Sequence, residues 1–484
     1  MTNFSGCLQK PGAWRRARLV GVGAVSALVV ALAACGGGGG GTAGSGGGDN
    51  GGGGPGNPGN PTAGWSDPVR LPGVLASEPV VAIDATDRAT AVWLQREAGT
   101  GENHVWASRS TGGAAWSAPV RLDANAGNVT QLRLAIHRDS GFGMLLWTQT
   151  GATQDLHARA LHPVNGWGPE ARVDTLAGTV GVSSVGVDSA GNAVAVWSQI
   201  GPATRFSVYG SRYVAASGWS APQLVETNEV VGSQDGDPLV RVFSNGDAVT
   251  VWKRSGAGAG DGLWSNQSGP ATGWGSPTQV VTDAGPLQSI GKHDLAAADN
   301  GQALLAWGQL DIAGGAGNNA IHFKRYASGA WDPSSATVAP AVPNNQGYIS
   351  SPVLRTNAAG GAVLAWVDAD NSLKAAMVPA GGGFGGVQTL RTANAGTWLG
   401  QPALGIDDSS AAWAAWADPV SADAMVALQT LPLGWSQAAP NETYPDPSRP
   451  PALDTNGRGN AVMVWAQSFA TGDQIVLRQY TSGR

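Results

Sequence analysis

The stretch Val185–Gln199, VGVDSAGNAVAVWSQ, decides the fold. A short apolar run ends at Asp188, the residues Ser189, Ala190, Gly191 and Asn192 follow, and a second apolar run closes on Trp197. An Asp side chain bonds the backbone two residues on, and Gly and Asn tolerate positive φ, so the middle reads as a tight turn. Two apolar runs joined by such a turn read as a pair of antiparallel strands.

The closing tryptophan recurs at Trp93, Trp147, Trp197, Trp252, Trp307, Trp366, Trp416 and Trp465. A second landmark alternates with it, a Gly or Ala plus an aromatic followed by small residues and often Pro: Gly64-Trp65, Ala115-Trp116, Gly166-Trp167, Gly218-Trp219, Gly273-Trp274, Ala330-Trp331, Gly383-Phe384 and Gly434-Trp435. Eight copies of each alternate, the second landmark every 51 to 57 residues, within the range of β-propeller blades.

One unit reads as strand (PVVAIDA, 79–85), turn (TDR), strand (ATAVWLQ, 89–95), strand (HVWASRS, 104–110), turn (TGGA) and strand (AWSAPVRL, 115–122). Four short strands cannot bury both faces without neighbours, which makes each unit a blade. A row of β-sandwich domains would need about 100 residues per domain. The chain enters on a fourth strand (GWSDPVRL, 64–71) and leaves on a third (QIVLRQY, 474–480), so one end completes the blade that the other leaves open. The predicted architecture is all-β, a single eight-bladed propeller of four-stranded antiparallel blades over residues 63–484. Fifteen of the twenty tryptophans occupy the landmarks, where a large flat side chain fills the wedge between blades, so they are read as core.

The Asp188 turn resembles the Asp-box of sialidases and related propellers, although Trp197 lies nine residues after Asp188 where the Asp-box aromatic follows by about five. The chain also resembles tryptophan-docked propellers, among them quinoprotein dehydrogenases and the eight-bladed lipoprotein of the outer-membrane assembly machinery. This resemblance implies architecture over residues 64–484 and identifies no single family.

Residues 1–18 carry Lys10, Arg15, Arg16 and Arg18 and no acid, and residues 19–34 form an apolar run too short for a comfortable membrane span. Leu32-Ala33-Ala34-Cys35 resembles the lipobox of bacterial lipoproteins. That resemblance implies removal of residues 1–34 as a signal peptide and acylation of Cys35, with several chains giving a stable hold on a lipid bilayer. Gly36 follows the cysteine where an Asp would favour inner-membrane retention, so the outer membrane is the expected destination. Residues 35–62 are nearly all Gly, Asn, Pro and Ser or Thr, offer almost nothing to bury, and read as a disordered linker spanning roughly 30 Å.

Charged residues make up only 13% of the chain, and loss of the four leader cations from a formal charge of −6 leaves −10. No cluster of Lys and Arg stands out, which argues against nucleic acid as a partner. Cys7 and Cys35 are the only cysteines, so the processed propeller has no internal disulfide. The histidines His104, His137, His157, His162, His293 and His322 lack recurrent metal-ligand spacing, and the glycine-rich stretches lack a following Lys-Ser/Thr, so no metal, phosphate loop or other cofactor is expected.

The loops joining strands 2 to 3 and 4 to 1 vary most between copies and share one rim. They carry Arg96, Glu102, Lys253, Arg254, Asp261, Asp311, Asp368 and Asp370, with Tyr348 and Trp398 as aromatics outside the repeat. Of these, Arg96, Arg254, Asp261, Tyr348, Asp368 and Trp398 are candidate ligand contacts. An aromatic on a polar loop suits a sugar ring or a protein anchor. The favoured function is non-catalytic binding of protein or glycan by a monomeric, membrane-tethered propeller. The alternatives are an envelope-assembly scaffold and a sialidase-like glycoside hydrolase. The hydrolase would need an arginine cluster, a Tyr and Glu pair and an acidic Asp converging on the ring axis, whereas axis-facing positions read mostly as Val, Ala and Ser and only six tyrosines occur.

Overall fold

A computed structural model describes residues 63–483 except 114, 202–204, 228–232, 257–261, 283–287, 312–317, 344–350, 393–398 and 431–433. The leader, Cys35, the glycine-rich linker, Asp261, Tyr348 and Trp398 lie outside the described residues.

The described residues form eight antiparallel sheets and no helix. We number the blades by their first strands: Ala76–Ile83, Asn128–Ile136, Thr179–Val187, Gln234–Val242, Gln288–Ala297, Val353–Thr356, Ala403–Ile406 and Ala452–Thr455. In blade 3, Thr179–Val187 pairs with Ala193–Ile200, which pairs with Phe206–Val214; a split outer strand, Gly218–Trp219 and Gln223–Leu224, completes the sheet. Consecutive first strands touch around the axis.

The eighth blade is built from both ends of the propeller. Its third strand, Gln474–Thr481, receives Gly64–Trp65 and Val69–Arg70 as the outer strand, with Trp65 opposite Tyr480 and Val69 opposite Leu477. This is the ring closure anticipated from the sequence, and it leaves the third strand without an open edge.

The blades cohere through the two landmarks. Trp147, Trp197, Trp252, Trp366 and Trp465 are fully buried, and Trp93, Trp307 and Trp416 keep 1% of their surface. The second-landmark aromatics pack from the outer strand onto the preceding blade. Trp219, for instance, lies against a cluster that includes Met144 and Leu146 of blade 2 and Val185 and Trp197 of blade 3. Each buried tryptophan removes ~150–250 Å² from water, worth roughly 4–6 kcal/mol before the entropy of ordering is subtracted. The Asp188 turn has the expected geometry: its carboxylate accepts the Ala190 and Asn192 amides at 2.9 and 2.8 Å, and Gly191 sits at φ 84°. Asp84, Asn357, Asp407 and Asn456 cap the same turn in blades 1, 6, 7 and 8.

Candidate functional site

On the rim formed by the 2-to-3 and 4-to-1 loops, most of the described charged candidates bond a neighbouring group. Arg96 is exposed and donates from Nε to Gly101 O at 3.0 Å, and Glu102 accepts the Gly127 amide at 3.2 Å. Asp368 is 3% exposed and lies 2.5 Å from Lys374 Nζ, which also faces the more exposed Asp370 at 3.7 Å. Lys253 donates to Ile290 O, and Asp311 pairs by its backbone with Gln288 and Asn318.

Arg254 is fully buried and so is not presented on the rim. Its Nε lies 2.8 Å from Asp235 Oδ1, its Nη2 lies 3.4 Å from Glu226 Oε2, and its guanidinium stands 4.7 Å from the Trp264 ring centroid. The cause is a substitution within the repeat. Two residues after the closing tryptophan, five blades carry Gln95, Gln149, Gln199, Gln309 and Gln467, each accepting the indole N–H of its tryptophan at 2.8–3.4 Å. In blades 2 and 3 the amide also donates to carbonyls of the 4-to-1 loop, Gln149 to Asn125 O and Gln199 to Leu176 O. Arginine cannot accept the indole proton. In blade 4 Asp235 therefore takes it, at 2.8 Å, and neutralises Arg254 as well. Burial, followed by the hydrogen bond and charge of Asp235, pushes the Glu226 carboxyl up to about 8.

The opposite rim, formed by the 1-to-2 and 3-to-4 turns, holds the large clefts. One strand-3 position contributes to which clefts are open: the residue paired with the second residue of strand 2. In blades 1, 3 and 5 it is Arg109, Arg212 and Arg325. Each crosses to the next blade, Arg109 to Pro163 O, Arg212 to Gly246 O and Arg325 to Gly382 O. Blades 2, 4, 6 and 8 carry Ala160, Gln267, Met377 and Gln479 there. Phe142 fills the cleft after blade 2, with its ring 2.7 Å from where a Cβ on Gly191 would sit. The other three stay open: about 780 Å³ between blades 4 and 5, 310 Å³ between blades 6 and 7, and 350 Å³ between blades 8 and 1.

The largest cleft departs from the repeat in its floor too. Where the other blades start the first turn with a buried polar residue, Asp or Asn in five of them and His137 in blade 2, blades 4 and 5 have Phe243 and Ala298. Phe243 stacks on Tyr326 at 6.2 Å with an 11° interplanar angle. The turn-capping role passes to the exposed Asn245 and Asn300, which accept the Asp247 and Gln302 amides. The cleft thus has an aromatic floor and walls of Asn245, Asp247, Gln267, Asp299, Asn300 and Ser328. Gln267 bridges to Gly329 O at 2.8 Å, and burial, followed by the Asp247 charge, raises the Tyr326 hydroxyl above its ordinary range. An apolar base with convergent amides and carboxylates suits a small ligand rich in hydroxyl groups.

The axis is lined mostly by small and apolar residues, Val and Ala foremost as expected, with three charged exceptions. Arg241, Arg355 and Asp454 face a cavity of about 330 Å³ alongside Ala82, Ala135, Gly186 and Ala296. Arg138 spans the turn-side mouth from blade 2 to blade 7, with Nη1 2.9 Å from Asp408.

The histidines are dispersed. His104 lies 2.7 Å from Asp123, His157 stands 2.8 Å from Glu170 and stacks on Trp147, and His322 stacks on Trp307. His137 meets Ser244, and His162 accepts the Val164 amide. His293 is buried with both ring nitrogens unpartnered, and burial lowers its pKa to about 4. Among the described residues no group of His, Cys, Asp and Glu is arranged to hold a metal, and no helix is long and apolar enough to cross a membrane.

No family model and no curated protein matches the chain. It is similar in structure to a lectin from Burkholderia pseudomallei, with TM-score 0.47 and 12% identity over 75% of this chain and 98% of that one. It is also similar to a protein of unknown function from Dyadobacter fermentans, with TM-score 0.40 and 9% identity over 87% and 100%. An α-L-arabinofuranosidase from Fusarium graminearum gives TM-score 0.40 and 9% identity over 86% and 97%.

Proposed function

We propose that the propeller is a non-catalytic binding module that takes carbohydrate in the cleft between blades 4 and 5 and is held in the cell envelope by acylated Cys35. The observation that carries this reading is the local break in the repeat: Gln267 stands where blades 1, 3 and 5 have an arginine, Phe243 and Ala298 stand where the other blades have a buried polar turn residue, and Phe243, Gln267, Asn245 and Asn300 line one 780 Å³ cleft. Positions where a consistent sequence breaks its own rule mark function more often than positions that keep it. Sugar C–H faces pack on an aromatic floor, and amides and carboxylates bind vicinal hydroxyls.

The test is an immobilised glycan array probed with the purified protein, then with Asp247→Ala and Asn300→Ala. Asp247 and Asn300 are both exposed, and thermal unfolding of the two variants checks that the fold survives, with a modest loss expected where Asn300 caps its turn, while binding to the recognised glycan class falls at least tenfold. A blank array contradicts the carbohydrate reading. For the anchor, Cys35→Ser moves the protein from the membrane fraction to the soluble fraction; retention of the variant in the membrane contradicts acylation there.

A further inference from the structure

The axial cavity is a second chemical environment, separate from the cleft. Its wall includes first-strand residues at one level, where Ala82, Ala135, Gly186 and Ala296 are too small to reach the axis and leave the space to Arg241 and Arg355. At about 330 Å³ it is at the lower end of ligand pockets. The turn-side mouth is crossed by Arg138, paired with Asp408 and donating to Thr356 O. Further along the first strands of blades 4 and 5, Lys292 pairs with Asp237 at 2.9 Å, and 61% of the Lys292 side chain is exposed.

The two guanidinium groups are incompletely committed. Arg241 Nη1 donates to Val240 O, and Arg355 Nη1 donates to Leu354 O, both at 2.8 Å. Their carboxylate partner is one shared Asp294, at 3.5 Å from Arg241 Nη2 and 3.4 Å from Arg355 Nη1. Asp294 already accepts the Leu295 and Leu354 amides at 2.8 and 2.9 Å. Arg355 Nε and Nη2 and Arg241 Nε therefore donate to no protein group among the described residues. Both side chains lie deep in the ring yet stay 28% and 42% accessible, and the cavity they line is where that surface is turned. Arg133, two residues before Ala135 on the same strand, donates from Nε to Ser183 O at 3.0 Å. The acids nearby are Asp454, which accepts the Ile83 amide, and Glu78 beside Arg133.

We propose that the axial cavity binds one anionic group, a carboxylate or sulfate ester on a small polar ligand, through the free N–H groups of Arg241 and Arg355. Arginine presents a planar fork of donors that matches two oxygens of such a group, and the low-dielectric wall strengthens the charge-assisted bonds. Asp454, at the same level, is placed to accept a hydroxyl of the same ligand.

Isothermal titration of the full-length protein with D-glucuronate, D-glucose 6-sulfate and D-glucose tests this. The expected result is saturable binding of one or both anions, weakened as salt rises, with glucose silent. The carboxylate and the sulfate arms identify which anion is preferred. Arg355→Gln and Arg241→Gln keep most of the side-chain volume and are expected to weaken binding at least tenfold, whereas Arg449→Gln, at an exposed arginine outside both sites, leaves it unchanged. Should either arginine variant fail to fold, competition of the wild-type signal by inorganic sulfate replaces it, and displacement is expected. Silence of both anions, equal binding of glucose, binding unaffected by either arginine variant, or failure of sulfate to compete overturns the proposal.

Discussion

A single position shows how one residue type sets its neighbours' chemistry. Gln199 accepts the Trp197 indole and donates to Leu176 O, so one amide ties the core tryptophan to the loop above it. Loss of that acceptor leaves a buried donor unmade, at a cost of ~1–3 kcal/mol. The recurrence of Gln two residues after the tryptophan is plain in the sequence once the tryptophans are aligned, and its exception at Arg254 is the signal that would have placed that residue inside. Reading Arg254 by loop position alone put it on the rim; burial with Asp235 and Glu226 keeps it from solvent. The consequence is measurable. Glu226 has its pKa raised from 4.5 to about 8 by burial and by Asp235, so the folded state holds an extra proton between these values. Its contribution to stability is full below about pH 4.5 and is lost as pH rises through about 8. Glu226→Gln fixes the neutral form, so its advantage over the wild type grows by at least ~1 kcal/mol as urea midpoints are compared from pH 5 to pH 9, at about 1.4 kcal/mol per pKa unit. Parallel pH profiles for the two proteins contradict this.

At the scale of the element, the strands and turns were readable because their cause is local. The alternation of apolar residues around Asp188-Ser189-Ala190-Gly191 fixes a hairpin whatever surrounds it, and the period of the tryptophans counts the blades. The split outer strands were read as continuous, since the run GWSDPVRL does not reveal that pairing lapses between Trp65 and Val69. Ring closure gives the element-scale prediction. Removal of residues 64–71 strips Gln474–Thr481 of its outer partner and takes Leu71 and Trp65 from their clusters. Thermal unfolding of the truncated protein is expected at least 10 °C lower, with a tendency to associate through the exposed edge. An unchanged melting temperature contradicts closure by the N-terminal strand.

At the scale of the whole molecule, the sites depend on which side chains converge from distant blades, and distance in sequence hides that. Phe243, Gln267, Asn300 and Tyr326 span two blades, and Arg241 and Arg355 stand two blades apart at one level of the axis. Variable loops pointed to one rim, whereas the large cleft opens on the rim of the conserved-looking turns, because small departures from the repeat create space there. Asp261, Tyr348 and Trp398 keep their standing as candidates outside the described residues.

The cleft at Gln267 is open where arginine crosses the corresponding cleft in blades 1, 3 and 5. The direct measurement is glycan binding by wild type and by Gln267→Arg, with thermal unfolding of both. Saturable binding by the wild type and its loss in a variant that unfolds at the same temperature or higher is the predicted result. Equal binding by a correctly folded Gln267→Arg variant contradicts the cleft as the binding site.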